Sequence, residues 1–97
     1  DVKATMKKKL DVEMASYRIL GACNPGMAYQ AIGIEPRVGA MLPCNVVVRS
    51  VADGTTVVEA VDPDAMMSFV DSDAMRSVAT DAKQRLTAAL AALSQEA

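Results

Sequence analysis

Histidine is absent from this 97-residue chain, and so is tryptophan. Without histidine the chain has neither the commonest general base near neutral pH nor the commonest metal ligand. Any catalysis would fall to cysteine, carboxylate, lysine or tyrosine. Aromatic residues number three, Tyr17, Tyr29 and Phe69, too few for a platform on which bases stack. Only two cysteines occur, so there is no disulfide framework. No apolar run approaches the roughly 20 residues of a membrane-spanning helix. No strong charge of either sign is present: ten basic against twelve acidic residues leave a net −2. That balance offers no field to attract nucleic acid or an anionic membrane. Neither is expected as a partner.

What is present is an apolar, patterned chain. Hydrophobic residues make up 52%, enough for one domain with one modest core, taken here as residues 1–97. Asp1 is placed to cap a helix reaching about Leu10, with Val2, Met6 and Leu10 on one side and Lys7-Lys8-Lys9 as a solvated face. Tyr17 to Cys23 alternates as a strand. Asn24-Pro25 then reads as a helix start, a cap followed by a proline at a position whose N–H would have no partner. That helix should stop near Gly33 or before Pro36. Arg37 to Leu42 reads as a further turn, ended by Pro43.

Asn45–Val51 and Thr55–Val61 are β-branched runs joined at Ala52-Asp53-Gly54, a hairpin signal. Asp62-Pro63-Asp64 repeats the helix-start pattern for a short segment to about Val70. Asp71-Ser72-Asp73 opens the last helix, to about Leu93. Its stripe is Met75, Val78, Ala79, Ala82, Leu86, Ala89, Leu90 and Leu93. This stripe should cover one face of a three-stranded sheet. Three strands and one long helix make a thin core for so many apolar residues. We therefore expect a homodimer, a further N-terminal segment before Asp1, or both.

The runs Asp1-Val2-Lys3-Ala4-Thr5-Met6-Lys7-Lys8-Lys9-Leu10, Tyr17-Arg18-Ile19-Leu20-Gly21-Ala22-Cys23-Asn24-Pro25, Leu42-Pro43-Cys44-Asn45-Val46-Val47-Val48 and Ala60-Val61-Asp62-Pro63 together resemble the DUF302 family, small domains of unknown function. The resemblance implies an α+β fold, a two-layer arrangement like one half of the TATA-binding protein, with an antiparallel sheet backed by helices. It also implies an N-terminal strand, helix and strand that these residues lack. It brings no activity, cofactor or catalytic residue with it. DNA binding does not follow from the fold.

The candidate site must therefore come from the residues themselves. If the strands ending at Cys23 and starting at Cys44 pair antiparallel, both thiols lie at one end of the sheet. Cys23, Asn24, Pro25, Cys44 and Asn45 would then mark a ligand region. Three readings of the thiols stay open. They are small buried fillers; or Cys23 is a nucleophile beside a helix start with Cys44 as its partner; or the two thiolates, with methionines such as Met27, Met41, Met66 and Met67, hold a soft metal such as Cu(I). The paired acids Asp62/Asp64 and Asp71/Asp73 are explained by capping. Arg18 and Arg49 are expected to pair across strands rather than to form an anion pocket. The pattern as a whole favours a non-enzymatic binding or interaction module with no cofactor, homodimeric and small-ligand-binding. The cytoplasm is slightly favoured, but a chain opening at Asp1 is expected to be longer in nature, so the absence of a signal peptide here decides nothing.

Overall fold

The computed structural model describes residues 1–94. The order is α1 (Val2–Leu10), β1 (Tyr17–Ala22), α2 (Pro25–Ile34), β2 (Cys44–Ser50), β3 (Thr56–Ala60) and α3 (Asp73–Ser94). Short 3-10 segments intervene at Pro36–Met41, Ala52–Gly54 and Pro63–Ser68. The chain is an α+β protein, and its three strands form one antiparallel sheet in the order β1-β2-β3.

The capping residues act as their types dictate. The Asp1 carboxylate accepts from the Ala4 N–H at 2.9 Å. Asn24 Oδ1 accepts from the Met27 N–H at 3.2 Å, with Pro25 at the first helical position. The Asp62 carboxylate accepts from the Asp64 N–H at 2.9 Å. At the start of α3 the cap is Ser72, whose Oγ accepts from the Met75 N–H, rather than one of the flanking acids. Asp71 and Asp73 instead both hold Arg76. The segments after Pro36 and Pro63 are 3-10 rather than α-helical, tight turns that suit so few residues.

Register fixes the two faces of the sheet. Ala22 lies opposite Cys44, Leu20 opposite Val46 and Arg18 opposite Val48, all on one face. Tyr17, Ile19 and Gly21 share the other with Arg49, Val47 and Asn45. Gly21 is required by a close approach: a Cβ there would lie 2.6 Å from Cγ of Pro43. The hairpin turn uses left-handed backbone at Asp53 (φ 67°) and Gly54 (φ 71°), the residues that tolerate it. Arg49 pairs with Glu59 on the neighbouring strand at 2.6 Å, whereas Arg18 reaches Asp1, ahead of α1, at 3.3 Å.

The core sits in the helical layer. Ala31, Val38, Met66, Met75, Val78 and Ala79 are buried, and none belongs to a strand. Helix α3 packs mainly on the Pro63–Ser68 segment and on α2. This corrects the expectation that its stripe would run across the sheet. Met75, Val78 and Ala79 are sealed, but Leu93 is 51% exposed. Helices α2 and α3 approach the sheet at the Ala22/Cys44 end, and α1 contacts β1. Ile19 is nonetheless 51% and Leu20 49% exposed, on opposite faces. The radius of gyration is 16.0 Å, against about 12.5 Å for a compact chain of this length.

Candidate functional site

The end of β1, the start of β2 and the helix between them produce the site. β1 finishes at Ala22, and Cys23 and Asn24 turn the chain into α2. The excursion through α2 and the Pro36–Met41 turn returns at Leu42 and Pro43, so that β2 starts at Cys44, opposite Ala22. Between this sheet end and the helices lies a cavity of about 230 Å³. Ala22, Cys23, Asn24 and Cys44 form its sheet-end wall. Met27, Ala28 and Ala31 of α2 and Val78, Ala82 and Leu86 of α3 form the sides, with Leu42 and Met66. Its polar atoms are few, and Arg85 is the charged residue among the lining side chains. Arg85 Nε donates to the Asp81 carboxylate at 3.2 Å.

Three of the five residues singled out in the sequence, Cys23, Asn24 and Cys44, thus line one cavity. Pro25 and Asn45 do not line it. Pro25 starts α2 and is exposed. Asn45 shares the opposite face with Gly21, and its backbone carbonyl accepts from the Val61 N–H at 3.1 Å. Both cysteines are free: Cys23 is exposed and Cys44 half-buried. Partial burial raises the Cys44 thiol above its ordinary pKa, and the nearby Cys23 adds to the effect. The Cys44 thiol therefore holds its proton more firmly than an ordinary cysteine does. Among the described residues no three of His, Cys, Asp and Glu gather as metal ligands would. Any ion here would depend on the two thiols and on the thioethers of Met27 and Met66, which line the same cavity.

Sequence reasoning places the strand ends together but misses half the enclosure. Arg85 reads as part of the polar side of the last helix, yet stands at the cavity. Ala82 and Leu86 belong to the recognised apolar stripe, but a stripe does not reveal which part stays open. Leu42 carries no signal beyond being apolar before a proline.

No helix among the described residues is long and apolar enough to cross a membrane. No curated protein matches the chain. Among solved structures, the crystal structure of an uncharacterized conserved protein DUF302 from Bacillus stearothermophilus is similar, with a TM-score of 0.77 and 28% identity. The similarity covers 90% of this chain and 67% of that one. The family model described as "Domain of unknown function DUF302" matches residues 1–93, and the chain belongs to that family.

Proposed function

We propose that this protein is a small non-enzymatic binding module, and that its ligand enters the cavity between the Cys23-Asn24 and Cys44 strand ends and the helices. One observation carries the reading: a space of about 230 Å³, with mainly apolar walls, lies where both cysteines meet the helical layer. Apolar cavities of about 150 Å³ are large enough to take up benzene-sized molecules. The test is a titration of methyl-labelled protein with indole, followed by NMR. Saturable shifts confined to Met27, Met66, Val78 and Leu86, and abolished by Ala82→Leu, are expected. Shifts spread over the open sheet, or insensitive to Ala82→Leu, would reject the site.

A homodimer is part of this reading. The chain exposes 6624 Å², against about 5,300 Å² for a compact protein of its mass. The surplus exceeds the roughly 800 Å² that each partner contributes to a standard interface. The arrangement implied by the resemblance, like one half of the TATA-binding protein, is retained without its DNA partner, since net −2 opposes binding a polyanion. Free thiols suit a reducing compartment, which favours the cytoplasm.

A second reading rests on Cys23 itself. An exposed thiol sharing a wall with a second one is suited to thiol exchange, with Cys23 as nucleophile and Cys44 as partner. It lacks an adjacent base: no carboxylate lines the cavity among the described residues, and the chain has no histidine.

A further inference from the structure

From the residues that line the cavity, we infer that its ligand is a soft monovalent metal ion, Cu(I), held by the sulfurs of Cys23, Cys44, Met27 and Met66. This rests on the cavity being the ligand site and names what it takes. The four residues come from four separate segments: the turn after β1, the start of β2, the first turn of α2 and the Pro63–Ser68 segment. Local sequence does not place all four on the lining of one cavity; the fold does.

The donor set decides the ion. Thiolate and thioether sulfur select Cu(I), whereas carboxylate, carbonyl and water suit magnesium, calcium and manganese. Among the described residues no carboxylate lines this cavity, and the chain has no histidine to offer. Zinc wants four firm ligands, usually thiolate or imidazole. Two thiolates and two neutral thioethers supply that poorly, but serve an ion content with two strong sulfurs and weaker support. Binding replaces two S–H protons by one Cu(I), releasing both protons with no change in the oxidation state of copper or sulfur. The resulting centre carries one net negative charge. Arg85, the cationic side chain of the cavity lining, would have to share its charge between that centre and Asp81, which it already holds. Met66, 4% exposed, and Met27, half-buried, stand among the apolar side chains of the lining.

The test is anaerobic competition for Cu(I) against bathocuproine disulfonate, with X-ray absorption on the loaded protein. One Cu(I) per chain with an all-sulfur first shell is expected. Cys23→Ser and Cys44→Ser should each abolish competition. Met27→Leu and Met66→Leu, near-isosteric changes that keep the fold by circular dichroism, should weaken it on the order of tenfold or more. Copper loading should also displace indole. Failure to compete, a first shell of oxygen or nitrogen, one copper per two chains, or full binding by the Cys23→Ser/Cys44→Ser double variant overturns the inference. If indole still binds saturably in the cavity while Cu(I) does not compete, the ligand site stands and the metal falls. If neither binds, both fall.

Discussion

Cys44 is the residue whose environment makes the sharpest demand. Its thiol is held above the ordinary range, first by partial burial and then by Cys23 nearby. The folded chain therefore keeps this proton at a pH where the unfolded chain, titrating at about 8.5, has released it. The stability this contributes is fully present below that pH and is lost as pH rises towards the folded value. Urea unfolding from pH 7 to pH 10 should show the advantage of the native protein over Cys44→Ser shrinking as pH rises. A difference that stays constant or grows would place Cys44 in open water. Asn24 makes a simpler demand. Its side chain caps α2 through the Met27 N–H, and Asn24→Ala should cost about 0.5–2 kcal/mol in the same assay. Both residues were legible in the sequence, because capping and strand ends are written in neighbouring residues. The cavity beside them was not, because its far wall comes from residues some 35 to 60 positions further along the chain.

At the scale of elements, α3 divides into two halves that its sequence does not distinguish. The apolar stripe continues from Met75 to Leu93 at helical spacing, yet Met75 is fully buried and Leu93 is 51% exposed. The stripe says which side of a helix seeks cover and is silent on how far the cover extends. Here it extends over α2 and the Pro63–Ser68 segment and then ends. Met75→Ala should cost about 2–5 kcal/mol through the cavity it leaves. Leu93→Ala should stay within about 0.5 kcal/mol, as exposed positions do. Thermal unfolding of the two variants separates these outcomes, and equal losses would mean that the distal half is covered as well. Strand pairing was legible because the valine-rich runs and Asp53-Gly54 leave few alternatives. The expected layering was wrong in extent, since hydrophobic pattern gives each face but not the neighbour that meets it.

At the scale of the molecule, a sheet with no buried side chain poses the main energetic question. Tyr17, Ile19, Val47 and Val57 lie on one face, with the Arg49–Glu59 pair beside them. Burying such a face at about 25 cal/mol per Å² is what drives association. If a second copy covers this face, sedimentation equilibrium should give a dimer. Val47→Glu should then yield a monomer that keeps its helical circular dichroism, because the helical core contains no strand residue. A monomeric native protein, or a dimer indifferent to Val47→Glu, would require another cover for the sheet.

The central claim is that one half-open space takes in both thiols and admits a ligand. Site-resolved alkylation of the native protein by iodoacetamide, read by mass spectrometry, tests it most directly. Cys23 should react faster than Cys44, and indole should slow both together by an amount that follows its occupancy. Filling the space with Ala82→Leu should slow both without any ligand. Two thiols that label independently, with rates untouched by indole and by Ala82→Leu, would contradict it.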